Sequence, residues 1–180
     1  MQSFLPWILY FVLVGPTQHQ LDFAICAATF TALAFEIRSL KKGYILSWGT
    51  LIFFCFLLIS VVIFRNAFIV KHAWVLSNGT LAFIAWFSIL INRPFTCQYA
   101  REQVPSEHWH SPLFLKINYL LSAVWGCLFL LTLGLNILHI TVANVSGWAY
   151  EISTYLPSIA GAWITGWFPD WYKRKVDKKS

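Results

Sequence analysis

The side chains of this protein with chemistry to offer are few, and most lie inside apolar runs. Residues 117–140 carry Asn118, Ser122, Trp125, Phe129, Thr132 and Asn136 at steps of four, three, four, three and four. Such steps keep one face of a helix aligned. Amides and hydroxyls on that face can form the buried seam of a helix bundle, or they can wall an internal cavity. Asn78 and Thr80 flank Gly79 in another run. Polar groups at membrane depth are costly without partners. This pair is therefore either a helix–helix hydrogen bond, at a glycine that lets backbones approach, or the lining of a pathway. Asp22 opens a further run. An acid there suits a helix N-terminus; the alternative is a titrating group beside a cavity. Glu36 and Arg38 close the same run and are expected to snorkel or to pair.

The richest polar stretch is 92–112, where Arg93, Arg101 and Glu102 are the candidate charged contacts. His108 and His110 stand two apart, but a metal needs three or four ligands. His19, His72 and His139 fall on other connections. No metal or cofactor is expected. There is no HExxH, GxSxG, phosphate loop or histidine box, so no enzyme is expected either. The four cysteines, Cys26, Cys55, Cys97 and Cys127, form no CxxC pair. They read as small, buried, reduced residues without a disulfide framework. Asn78-Gly79-Thr80 and Asn144-Val145-Ser146 match a glycosylation sequon, the first at a depth where it cannot be used.

The elements that must position these groups follow from composition. The chain has 180 residues, 58% hydrophobic, 18% aromatic and only 11% charged. A soluble domain is about 25% charged, and one of this size needs more polar side chains than are present to cover its surface. Lipid is the alternative solvent. Six apolar segments can be marked: Phe4–Val14, Leu21–Ile37, Tyr44–Phe64, Ala73–Ile91, Ile117–Ile140 and Ile152–Phe168. A span needs about 20 residues, so the first is a short, tilted or re-entrant helix. The third and fifth are apolar all round without alternation, which means helix and not barrel strand. The expected fold is all-α: a polytopic transmembrane bundle of six spans, or five plus a short re-entrant N-terminal helix. It occupies 1–171, followed by a flexible basic tail, 172–180. The first segment lacks a basic n-region and an A-x-A-like site, so it is expected to stay in the mature chain.

The 13 Lys and Arg residues orient this bundle. If the connections alternate, Arg38, Lys41 and Lys42, Arg93, Arg101 and Lys116, and the tail lie on one side. Only Arg65 and Lys71 lie on the other. That asymmetry places the tail and the loops 38–43 and 93–116 in the cytoplasm. The net charge of +6 sits at the ends of apolar segments, not on a folded basic face. Nucleic acid is therefore not an expected partner; anionic lipid is. Trp48, Trp74, Trp109, Trp148, Trp163, Trp167 and Trp171 lie near proposed ends, as headgroup anchors do. Gly161 and Gly166 offer a small-residue face for a homodimer, although not at GxxxG spacing.

In order, several features resemble the intracellular septation protein A family of bacterial inner-membrane proteins. They are Phe4-Leu5-Pro6 before an aromatic run, Asp22 ahead of Ala27-Ala28-Thr29, Phe64-Arg65-Asn66, and Phe68-Ile69-Val70-Lys71. Asn92-Arg93-Pro94-Phe95, Trp109, Lys116-Ile117-Asn118, Trp125, Leu135-Asn136-Ile137 and Pro169 before a charged tail follow. Asn118 and Trp125 stand about one helical turn further apart than in the family. The resemblance implies a non-enzymatic role in septation or envelope integrity, through lipids, other envelope proteins or self-association. The alternative reading is a small transporter, channel or lipid-handling protein with Asn78, Asn118 and Asn136 on its path.

Overall fold

The computed structural model describes residues 4–141 and 147–177, with side chains described for 4–141 and 155–176. Asn144 and Trp148, a sequon and an anchor of the sequence reading, have no described side chain, and Asn144 lies outside the described residues altogether. Among the described residues the secondary structure is entirely helical. Among the described residues, three helices are long and apolar enough to cross a membrane: Ile45–Ile63, Ala67–Leu90 and Pro112–Thr141. The chain divides into two compact units, 1–80 and 81–180.

The first unit begins with α1 (Leu5–Leu13), nine residues with Pro6 in its first turn. At 1.5 Å per residue it is about 14 Å long and cannot cross a bilayer. After Gly15-Pro16, Thr17 caps α2 (Gln18–Phe35). The Thr17 hydroxyl accepts from the Gln20 amide, and the Gln20 side chain accepts from the Thr17 amide, a reciprocal capping box. Asp22 is thus not the cap: the helix starts upstream of it. A short α3 (Ile37–Lys41) turns at Gly43, whose φ of 71° suits a residue without Cβ. Next comes α4 (Ile45–Leu57), which continues as a π-helix through Leu58–Ile63. The Asn66 side chain then accepts from the amides of Phe68 and Ile69, the cap that opens α5 (Ala67–Leu90).

The core of this unit is aromatic. Trp7 is stacked on Phe53 at 5.2 Å and tilted on Phe54 at 4.9 Å. Tyr10 meets Phe54 edge-on, and Phe11 stacks on Trp74. The Trp7 indole N–H in this cluster is met by the Thr50 hydroxyl at 2.7 Å, while the buried Tyr10 hydroxyl has no well-formed hydrogen bond. Short α1 is therefore a wedge of buried aromatic area.

In the second unit the chain leaves α5 through Asn92 (φ 56°), two residues past its end. The Asn92 amide donates to the carbonyl of Ile89, and the Arg93 amide to that of Ser88. This is a left-handed stop followed by Pro94, and asparagine tolerates it better than other non-glycine residues. Next come α6 (Phe95–Ala100), a single 3₁₀ turn at Ser106–His108, α7 (Pro112–Thr141) and α8 (Gly147–Asp177). The helix α8 is longer than the sequence segment 152–168. It contains Pro157 and Pro169 and runs through Lys173-Arg174-Lys175, where a flexible end was expected. Each internal proline removes one intrahelical donor, yet the helix continues past both.

The outside of the molecule is apolar and the inside partly polar. Phe23, Phe30, Ile52, Phe83, Leu90, Leu131 and Leu138 are exposed, while Thr50, Ser77, Ser88, Ser122, Thr132 and Asn136 are buried. Water would penalise that distribution heavily. Hydrocarbon does not, because it gives apolar side chains no reason to hide and polar ones every reason to pair.

Candidate functional site

The six-residue stripe of the sequence reading lies on α7, and all six side chains are buried. What covers its first half was not foreseen. The segment that opens the polar loop folds back as α6, burying Phe95, Thr96 and Cys97. A helix start inside protein has amides that need acceptors. Here neighbouring hydroxyls supply them. The Phe95 amide donates to the Ser88 hydroxyl at 3.1 Å, and the Thr96 amide to the Ser122 hydroxyl at 3.4 Å. The Thr96 hydroxyl donates to the Asn118 carbonyl at 2.8 Å and lies 2.9 Å from the Ser122 hydroxyl. Asn118 turns its own amide back to the Phe114 carbonyl.

The second half of the stripe faces α8. The Trp125 indole N–H donates to the Thr165 hydroxyl at 2.9 Å, and Thr165 donates to the Gly161 carbonyl. A Cβ at Gly161 would stand 3.0 Å from the Trp125 ring and from Leu128. Glycine is what lets that ring lie on α8. The small face proposed for a dimer is therefore filled at Gly161 by this chain's own α7, while Gly166 has open space. Further along, Thr132 and Asn136 donate to the carbonyls one turn back, of Leu128 and Thr132. Gly126 leaves room for the Trp86 indole, whose nitrogen would lie 2.8 Å from an added Cβ.

The loop residues divide. Arg93 and Glu102 are exposed. The Arg101 guanidinium lies over the Trp109 ring at 5.5 Å, and the Trp109 N–H donates to the Val104 carbonyl. Burial pushes the Cys97 thiol above its usual range, partly opposed by the nearby Arg101 charge. Cys97 is the buried cysteine; Cys26 and Cys127 are exposed and Cys55 is half-buried, so burial is not common to all four. Lys116, at the start of α7, approaches the Tyr172 ring near the end of α8. The two helices are thus antiparallel, and the basic loop and the described part of the basic tail share one end of this unit.

The other candidates lie in the first unit. Asp22 takes a hydrogen bond from Gln18 and an ion pair from Arg65, which follows the π-helix with φ 51°. The start of α2 and the end of α4 therefore meet. The pair is partly exposed, in the range where such bridges contribute about 0–1 kcal/mol. Asn78 is buried, but it donates to the Trp74 carbonyl of its own helix at 3.1 Å, not to a neighbour; Thr80 is half-buried. Glu36 departs most from expectation. It does not snorkel: it is 1% exposed, and neither carboxylate oxygen accepts a well-formed hydrogen bond. The Ser47 hydroxyl of α4 is the polar group close enough to act on it.

Among the described residues, no three His, Cys, Asp or Glu side chains converge as metal ligands would. Sequence reasoning missed Thr96 and Thr165, the hydroxyls that meet the stripe, and Ser88, which caps the start of α6. The signal for Thr96 was that 94–100 carries no charge, unlike the rest of its loop. Comparison of the chain with protein-family models, curated proteins and solved structures found no match.

Proposed function

We propose that this protein is a non-enzymatic scaffold of the bacterial inner membrane, acting in septation or envelope integrity through lipid and protein contacts. The observation that supports it best is how the α7 stripe is used. Thr96, Ser122 and Asn118 close on one another, Trp125 closes on Thr165, and Asn136 on Thr132. Polar groups spent on one another fix a unique packing of helices. A transport path needs polar groups free to exchange partners with a passing solute. The resemblance to septation proteins supplies the envelope role. The loop charges supply a cytoplasmic C-terminus and, with α1 too short to cross, five spans and one embedded N-terminal helix.

Proteoliposomes test the scaffold reading. Flux of ions and small polar solutes should equal that of protein-free vesicles, both for the wild type and for Asn136→Leu. Flux that the wild type raises and Asn136→Leu abolishes would establish the transporter instead. For orientation, a C-terminal alkaline phosphatase fusion should be inactive in bacterial cells and a fluorescent protein fusion bright; the reverse pattern would invert the topology.

A further inference from the structure

The distal half of α8 carries a surface that the scaffold reading does not use. Trp163, Trp167 and Trp171 follow one another at steps of four, on one face of the helix. Their rings stack in succession, with centroids 5.6 and 5.5 Å apart and planes 6° and 27° from parallel. They are nevertheless 67, 46 and 40% exposed. A headgroup belt would hold its tryptophans at one depth, whereas these extend over about 12 Å of helix axis. The ladder ends in charge: the Lys175 ammonium lies 4.8 Å from the centre of the Trp171 ring. Lys173 and Arg174 are exposed beside it, and Lys116 reaches the adjacent Tyr172 ring from α7. Among the described side chains of this end, these cations outnumber the one exposed acid, Asp170.

An apolar strip that ends in a cationic head has the shape and polarity of a single anionic phospholipid, reversed in charge. We propose that α8 binds such a lipid, with an acyl chain along Trp163–Trp167–Trp171 and the phosphate at Arg174 and Lys175. The occupant is anionic because the head of the site is cationic. It is a lipid because the strip runs along a helix for most of the hydrocarbon depth of one leaflet, about 15 Å, and is flat aromatic surface throughout. This assignment stands whether or not the α7 stripe conducts, since it concerns the opposite, outward side of α8.

Bromolipid quenching of tryptophan emission in nanodiscs tests it. The full-length protein is placed in phosphatidylcholine discs containing either dibrominated phosphatidylglycerol or the same fraction of dibrominated phosphatidylcholine. Wild type should be quenched more strongly by the anionic lipid. The excess should vanish in Trp163→Leu/Trp167→Leu/Trp171→Leu. In Arg174→Gln/Lys175→Gln, where only exposed side chains change, the apparent preference should fall by about fivefold per charge removed, with quenching by phosphatidylcholine retained. Equal quenching of wild type by both lipids would overturn the proposal. So would an anionic excess that survives the charge-neutral variant, or two copies of the chain per disc with the ladder shielded from both lipids.

Discussion

The two units of this chain solve one problem, packing a short helix (α1 or α6) against longer ones in an apolar solvent, by different means. Unit 1–80 packs around Trp7, with aromatic surface on every side and one hydroxyl, that of Thr50, to satisfy one indole N–H. Unit 81–180 packs around hydroxyls and amides, where Ser88, Thr96, Ser122 and Thr165 each meet a specific atom of a neighbour. Aromatic packing is non-directional and strong in aggregate. Hydrogen bonding is directional and individually weak, about 0.6 kcal/mol per pair between membrane helices. The first unit should therefore fail when volume is lost, and the second when volume is added or a partner removed.

Substitutions can break that contrast, and the largest effect falls at Trp7. Trp7→Ala should cost about 3–5 kcal/mol, and Trp7→Phe about 1 kcal/mol, mostly the Thr50 bond. Reversible unfolding in mixed micelles measures both; equal losses would mean that the hydrogen bond, not the ring, holds the wedge. Next comes Gly161→Val. An added Cβ at 3.0 Å from the Trp125 ring should cost about 1–3 kcal/mol and separate α7 from α8. Gly166→Val, in open space, should cost less than Gly161→Val, and a reversal of that order would remove the close approach from the account.

Glu36 offers a test of opposite sign. A buried carboxylate without a well-formed partner is destabilising when charged. Glu36→Gln should therefore raise the unfolding temperature at neutral pH by a few degrees, about 1 kcal/mol on the usual conversion. A fall of similar size would show that the carboxylate is held by partners. In the second unit, a double-mutant cycle of Thr96→Val and Ser122→Ala should give a coupling of about 0.5–1 kcal/mol; strict additivity would deny that the two hydroxyls act together. The smallest effect is at the exposed end of the first unit. Asp22→Asn should lose less than about 1 kcal/mol, and added salt should erase the difference.

Much of this was legible beforehand, for identifiable reasons. Period and hydropathy placed the stripe on one face of one helix, because 3.6-residue geometry is local. The first segment was readable as too short for an ordinary span, because rise per residue is fixed, but six spans and five plus a re-entrant helix both stayed open until the structure showed a nine-residue helix. The failures share a cause. Asp22 looked like a cap, but Thr17 and Gln20 begin the helix earlier and Arg65 takes the charge. Glu36 was expected to snorkel or to pair, but its place against α4 depends on residues eleven positions away.

Residue types alone determined the helical class, the hydrocarbon-facing exterior and the line along which polarity runs on α7. Solvent and helix geometry act on each residue through its near neighbours in sequence. Only tertiary structure decided what that line touches: α6 folding back to present Thr96, Gly161 admitting Trp125, and three tryptophans left bare on α8. Those outcomes depend on which distant segments meet, and a hydroxyl or an indole in the sequence carries no record of its partner.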